Sequence, residues 1–124
     1  MENLHFLFLM IFLHICDDYY LQGWLASAKQ KSWWEQNAPQ GMYKYDYLVA
    51  LFMHSFSWTF MVMLPCLFYL NFNIDINVFA IFFFNLCTHF IVDNEKANNK
   101  TINLVQDQFV HLMQIIFTYV LIFC

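Results

Sequence analysis

Histidine and aspartate recur at a spacing of four residues in this sequence. The pairs are His14 with Asp18, His89 with Asp93, and Asp107 with His111. Four residues make slightly more than one helical turn, so both members of a pair lie on the same face of a helix. Each pair belongs to a strongly apolar stretch, where an ionisable side chain is costly to insert into a membrane. We therefore expect the pairs to work together.

Together with His54 in the remaining apolar stretch, these residues are suited to bind a divalent transition metal. Imidazole and carboxylate groups suit zinc, manganese or iron, and helix bundles build such sites from facing helices. The predicted ligands are His14, Asp18, His54, His89, Asp93, Asp107 and His111. This set exceeds the shell of one tetrahedral ion, so one or two ions fit. The alternative that stays open is a polar core in which the side chains only hydrogen-bond to each other.

Amide side chains extend the pairs into polar stripes. The candidates for supporting the ligands from outside are Gln22, Asn85, Asn103 and Gln114. In lipid, such stripes are expected to turn inward and face one another. Asp17, about 100° round the helix from Asp18, is predicted to lie at the membrane interface or to support the ligands.

Four apolar stretches must position these residues. Crossing a bilayer takes roughly 20 mostly apolar residues, and the stretches that qualify run over about 4–26, 47–70, 76–92 and 102–124. With 61% hydrophobic and 11% charged residues, the chain has too little polar surface for a soluble globule. The predicted fold is all-α, a polytopic membrane protein with one antiparallel four-transmembrane-helix bundle over residues 1–124.

The longest connection, residues 27–46, is predicted to lie at the membrane interface. Trp33 and Trp34 stand in it beside lysines, and Trp24 precedes it, a composition typical of interfacial segments. A cleaved signal peptide is the competing interpretation, because Ala26, Ser27 and Ala28 resemble a cleavage site. The preceding stretch contains no basic residue, however, so a retained helix is the favoured interpretation.

Lysine placement predicts the orientation. All five lysines fall on one side of the predicted bundle, in the long connection and in the one before the fourth helix. The positive-inside rule makes that side cytoplasmic and places both termini outside the cell membrane, in bacteria the inner membrane. In this topology every predicted ligand falls in the cytoplasmic half of the bilayer.

Other classes of function are disfavoured by the sequence. It has no arginine and a net charge of −4, which speaks against a nucleic-acid partner. The four cysteines lie in apolar runs without a C-x-x-C motif, as expected of small apolar fillers. A nucleophile elbow, a P-loop and an H-E-x-x-H motif are all missing.

The motifs resemble a small polytopic membrane family of bacteria and their phages, catalogued as a domain of unknown function. "HICDDYYLQ" from His14 resembles its H-x-x-x-D-[FY]-x-x-Q opening, and "LFMHSF" around His54 its second-helix histidine. "HFIVDNEKA" from His89 and "DQFVHL" from Asp107 resemble its third and fourth motifs. The resemblance implies a four-helix membrane protein and no established activity. A more distant similarity, in residue type and architecture, is to membrane-bound metal-dependent hydrolases.

Three functions stay open. The first is a metal-dependent hydrolase acting in the cytoplasmic half of the membrane, with Asp18 or Asp93 as general base. The second is a proton or divalent-cation channel or carrier, which the apolar outer halves of the helices restrict to an oligomer. The third is a non-catalytic partner of another membrane protein. The expected partners are therefore the lipid bilayer and either further copies of the chain or another membrane protein.

Overall fold

Four long helices and two short ones make up this protein in a computed structural model that describes residues 3–124. The helices are α1 (Leu4–Ile15), α2 (Leu25–Ala28), α3 (Lys31–Asn37), α4 (Asp46–Tyr69), α5 (Ile76–Asn94) and α6 (Leu104–Phe123). Within residues 3–124 there is no β-strand. The four long helical segments are long and apolar enough to cross a membrane, so the all-α, four-helix prediction is confirmed.

The long helices pack as a four-membered ring in which α1 and α5 each contact both α4 and α6. The start of α1 meets the ends of α4 and α6. The Phe6 ring stacks on Phe123 at 4.8 Å between centroids and meets the edge of Tyr69 at 5.5 Å. Neighbouring helices therefore run antiparallel, which brings the ends of α1 and α5 beside the starts of α4 and α6.

The bundle is more polar inside than a soluble protein of this size. Among residues 3–124, fourteen polar or charged residues are buried against twelve hydrophobic ones, while many phenylalanine, leucine and isoleucine side chains are exposed. Soluble domains show the opposite distribution. This arrangement fits a protein whose outer surface contacts lipid.

The two halves of the interior differ. Near the start of α1, buried Met10, Val62, Cys66 and Ile115 form an apolar core that ends at Trp58. Beyond Trp58, toward the end of α1, the interior is filled by the histidines and aspartates. The apolar half holds the helices together, and the polar half holds the candidate site.

The first helix ends earlier than the predicted range 4–26. Its α-helical part is followed by a wider π-helical segment, Cys16–Leu21. Gly23 then takes a left-handed conformation with a φ of +53°. Residues other than glycine rarely adopt that conformation. The reversal ends the helix and turns the chain into α2.

The third helix is longer than the predicted range 76–92, because a second π-helical segment, Glu95–Asn99, continues α5. The polar connection expected there is thus largely helical. The second and fourth helices match the predicted bounds to within two residues. The predicted loop 27–46 contains α3 and a 3-10 turn, Gly41–Tyr43.

Candidate metal centre

All seven predicted ligands come together in the polar half of the bundle. Their side chains are buried, with at most 9% of any residue exposed. The set consists of His14, Asp18, His54, His89, Asp93, Asp107 and His111. The four-residue spacing places each pair on the inward face of its helix, and the antiparallel packing brings the four helices to one depth.

The histidines of α4, α5 and α6 form the centre of the cluster. Nε2 of His54 lies 3.2 Å from Nε2 of His89. The rings of His89, Trp58 and His111 form a three-membered cluster, in which the His89 centroid is 4.2 Å from each of the other two and those are 5.2 Å apart. This stacking fixes the plane of the His89 imidazole.

Asp93 is the carboxylate that joins the histidines. Its Oδ2 lies 3.1 Å from Nε2 of His54 and 3.7 Å from Nε2 of His89, and its Oδ1 lies 3.6 Å from Nε2 of His111. On the two flanks, Asp18 Oδ1 is 3.3 Å from His54 Nε2, and Asp107 Oδ1 is 3.2 Å from His111 Nε2.

These distances match what a metal requires. Two ligand atoms about 2.0–2.2 Å from a tetrahedral ion are roughly 3.2–3.6 Å apart. Among the described residues, two buried sets have ligand atoms close enough to share an ion. One is Asp18, His54 and His89, and the other is His89, Asp93 and His111.

Two buried atoms support this fit. His111 Nε2 and Asp107 Oδ1 face one another but form no hydrogen bond. A buried polar atom without a partner is costly. A cation held between these atoms, or a proton on His111 Nε2 donated to Asp107, would satisfy both.

Two predicted ligands, His14 and Asp107, lie outside both sets. The two ring nitrogens of His14 have other partners. Trp58 Nε1 donates a hydrogen bond to His14 Nδ1 over 2.8 Å, and His14 Nε2 lies 3.0 Å from Oε1 of Gln108. Because Nδ1 accepts a hydrogen bond, the proton of the neutral His14 ring is on Nε2. With both nitrogens hydrogen-bonded in this way, His14 lines the site.

Two lysines that were not predicted as site residues lie in the cluster. Lys29, from the connection after α2, is buried with its Nζ 2.7 Å from Oδ2 of Asp93. Lys96, in the π-helical end of α5, has its Nζ 2.9 Å from Oδ2 of Asp107. For Lys96, its position three residues after Asp93 on one helix was a signal for this contact. For Lys29 no local signal exists.

The lysines leave the cluster short of positive charge. Asp17, Asp18, Asp93 and Asp107 contribute four negative charges against two positive ones from the lysines, leaving −2 when the histidines are neutral. Unbalanced charge is costly in a membrane interior. One divalent cation, or protons on the histidines, would balance it.

Asp17 is buried rather than interfacial. Only 1% of the residue is exposed, and Ser57 Oγ donates a hydrogen bond to its Oδ1 over 2.6 Å. The π-helical segment explains the difference from an α-helix. A wider turn separates successive residues by a smaller angle, so Asp17 and Asp18 both face the bundle interior.

Three of the four predicted supporting amides form hydrogen bonds in or next to the cluster, and the fourth does not. Gln114 and Asn85 are buried and support His111. Gln114 Oε1 lies 3.1 Å from His111 Nδ1, and its Nε2 donates to Asn85 Oδ1 over 3.2 Å. Gln22, half-buried, donates to the backbone carbonyl of Asp18. Asn103 is the exception, because it is exposed and caps the start of α6.

Gln108 belongs to the site, although it was not predicted as a site residue. Its Nε2 donates to Asp107 Oδ2 over 3.0 Å and lies 3.4 Å from Asp18 Oδ2. Together with its contact to His14, this amide links the aspartates of α1 and α6.

The predicted interfacial tryptophans form one aromatic cluster beside the polar half. Trp24, Trp33 and Trp34 contact each other edge to face, with ring centroids 5.0–6.0 Å apart. Trp24 is exposed, and the other two are half-buried. Such a cluster suits the headgroup level of a bilayer.

No protein-family model, curated protein or solved structure matches this chain.

Proposed function

We propose that this protein is an intramembrane hydrolase that uses a divalent transition metal, zinc, manganese or iron, held by the histidines and aspartates of the cluster. The observation that carries the proposal is the convergence of His54 and His89 with two carboxylates. His54 Nε2 lies 3.1–3.3 Å from His89 Nε2, Asp18 Oδ1 and Asp93 Oδ2. These distances are close to the spacing of ligand atoms around one ion.

The ligands would come from four helical segments: the π-helical end of the first helix, α4, α5 and α6. His54 and His89 with Asp18 would hold one ion, and His111 with Asp93 and His89 is the set for a second. The bound ion would polarise a carbonyl or phosphoryl oxygen and make water nucleophilic at neutral pH.

With one ion on His89, Asp93 and His111, Asp18 would be free of metal and is the best candidate for the general base. Asp93 and Asp107 are each paired with a lysine, whereas Asp18 has no lysine partner within residues 3–124. A carboxylate without a lysine ion pair keeps more lone pairs open to a proton from water. Asp93 would instead be a ligand, with Lys29 holding its carboxylate in place.

The proposed location is the cell membrane, with the cluster toward the cytoplasm. All five lysines lie toward the polar end of the bundle, but Lys29 and Lys96 belong to the site itself. The predicted cytoplasmic side is therefore set by Lys31, Lys44 and Lys100 under the positive-inside rule. The motif resemblance supports membership of the small polytopic family of bacteria and phages, and with it an inner-membrane location. The lysine placement predicts that both termini lie outside.

A proton or cation carrier is the second candidate. Polar contacts continue from His111 through Gln114 to Asn85, whose Nδ2 donates to Thr118 Oγ1 over 2.7 Å. This line leads out of the cluster along α5 and α6. The apolar core around Val62 and Ile115 lies beside its far end, so a complete path would require an oligomer. A liposome flux assay tests it, and flux abolished by Gln114→Leu would favour the carrier.

The hydrolase is tested with chromogenic esters and phosphate esters in detergent, with zinc, manganese or iron added. We expect Asp18→Asn to lower the rate by a factor of about 10² to 10⁴, as expected for loss of a general base. Asp46→Asn, outside the cluster at the start of α4, is the matched control and should retain the wild-type rate. Equal rates for wild type and Asp18→Asn would refute the assignment.

A further inference from the structure

A groove between α1 and α6 leads from the outer surface to the cluster. It has a volume of about 450 Å³ and is lined by Ile11, His14, Ile15, Tyr19, Gln108 and Leu112. Its rim is apolar or aromatic and exposed, with 41% of Ile15 and 51% of Tyr19 accessible. His14 and Gln108 are the polar residues of its lining. In a bilayer, this opening faces hydrocarbon.

A second opening lies at the lysine-rich end. This cavity of about 440 Å³ is lined by Gln22, Lys29, Asp93, Lys96 and Lys100, among others. Lys29 and Lys96 are paired with Asp93 and Asp107, so the third lysine, Lys100, supplies the unpaired positive charge of the lining. Lys100 has no ion-pair partner within residues 3–124, so its charge is available to an anion.

The two openings meet at one carboxylate oxygen. Oδ2 of Asp107 accepts a hydrogen bond from Gln108 of the groove over 3.0 Å, and it lies 2.9 Å from Nζ of Lys96 of the cavity. A ligand with an apolar tail in the groove could therefore place a charged group in the cavity, with the cluster between them.

A groove on the α4–α5 side lacks this combination. This groove of about 300 Å³, between α4 and α5, is lined by Phe52, Phe83, Leu86, Cys87, Phe90 and Ile91. It has no charged or strongly polar lining residue and does not reach the cluster. It serves as an internal comparison.

We propose that the candidate metal centre binds an anionic membrane phospholipid, with one acyl chain in the α1–α6 groove and the phosphate in the lysine-lined cavity. The inference rests on the proposed function and specifies its substrate class. A soluble phosphate ester would leave the groove unused, and a neutral diacylglycerol would leave the lysines unused. Only an anionic amphiphile matches both openings.

The test is photolabelling of the full chain in phosphatidylcholine vesicles that contain phosphatidic acid with a diazirine on its acyl chain. Mass spectrometry should map the label to residues 11–19 and 108–112. Ile15→Trp fills the groove and should lower this labelling about tenfold. Ile91→Trp, the same substitution in the comparison groove, should leave it unchanged. Leu112→Trp, on the opposite wall, repeats the test if Ile15→Trp fails to fold.

A second pair of variants tests binding of the headgroup. Lys100→Gln should lower labelling by phosphatidic acid about fivefold, whereas Lys44→Gln, outside the cavity, should not. Equal labelling by a diazirine diacylglycerol would overturn the proposal, as would equal labelling of residues 83–91. Loss of labelling on addition of inorganic phosphate would point to a soluble ligand and also overturn it.

The lipid-binding proposal and the hydrolase proposal can fail independently of one another. Selective labelling of a protein that binds no metal would support the lipid site and refute the hydrolase. Stoichiometric metal without selective labelling would refute the lipid site alone.

Discussion

Lys29 and Asp93 form a buried ion pair across 64 positions of the sequence, with Nζ 2.7 Å from Oδ2. The pair connects the segment after α2 to the end of α5. The same oxygen of Asp93 lies 3.1 Å from Nε2 of His54. The segment after α2 is therefore joined directly to the candidate metal centre.

Removing the lysine should destabilise the protein strongly. Lys29→Met leaves the Asp93 carboxylate buried without its cation, and losing one partner of a buried pair costs about 3–5 kcal/mol. Thermal unfolding in detergent measures the effect. Lys31→Met is the matched control, because Lys31 pairs with Glu35 over 3.8 Å on the exposed surface, and such pairs contribute about 0–1 kcal/mol. Equal melting temperatures for the two variants would contradict the role of Lys29.

Trp58 should matter for its N–H group as well as for its ring. Trp58→Phe keeps an aromatic ring beside His89 but removes the donor to His14 Nδ1. Leaving that buried nitrogen without a partner should cost about 1–3 kcal/mol of unfolding free energy. Trp24→Phe, at an exposed position, provides the control. A Trp58→Phe variant as stable as wild type would show that the hydrogen bond is dispensable.

Gly23 and Gly41 allow a test of how α1 ends. A Cβ would meet nothing within 4 Å at either position, but only Gly23 has a positive φ, +53°. Gly23→Ala should therefore lower the unfolding free energy by about 1–2 kcal/mol, while Gly41→Ala should be neutral or stabilising by up to about 1 kcal/mol. The comparison uses thermal unfolding of both variants. The same change in both would argue against a strained reversal at Gly23.

Asp75 should make the stability of α5 depend on pH. Its carboxylate accepts hydrogen bonds from the backbone N–H groups of Val78 and Asn77, at 2.9 and 3.0 Å. These bonds, the one from Val78 first, lower the pKa of Asp75 in the folded protein. Stabilisation by the cap is therefore complete above the unfolded-state pKa and is lost as the pH falls through the lower folded-state value.

Asp75→Asn separates this effect from other titrations. Asparagine also caps helices but carries no titrating carboxylate. The melting temperature of wild type should fall relative to Asp75→Asn as the pH is lowered from about 7 to about 3. A difference that stays constant over this range would contradict the prediction.

The four-residue spacing was informative because α-helical geometry is local. His89 and Asp93 share a face for any α-helix that contains both, whatever surrounds it. Adding the topology was enough to bring seven side chains from four helices into one cluster. Helix ends were harder, since the π-helical segments and the reversal at Gly23 depend on the contacts around them.

Contacts made by long or neighbouring side chains were not predictable from spacing alone. From the sequence, Lys29 looks like any lysine at a membrane interface. No residue near it in the sequence indicates that its side chain reaches Asp93. Gln108 is next to Asp107 and on an ideal helix points about 100° away. Trp58 did carry a signal, since it lies four residues after His54 and so shares its face.

The central claim is that the cluster binds a divalent metal, and metal content tests it most directly. His89 belongs to both candidate ligand sets, whereas His5 is exposed and outside the cluster. Elemental analysis of protein purified in detergent without chelator should find about one or two ions of zinc, manganese or iron per chain. We expect the same in His5→Gln, and less than about a tenth of it in His89→Gln. Wild-type protein without stoichiometric metal, or undiminished metal in His89→Gln, would contradict the account.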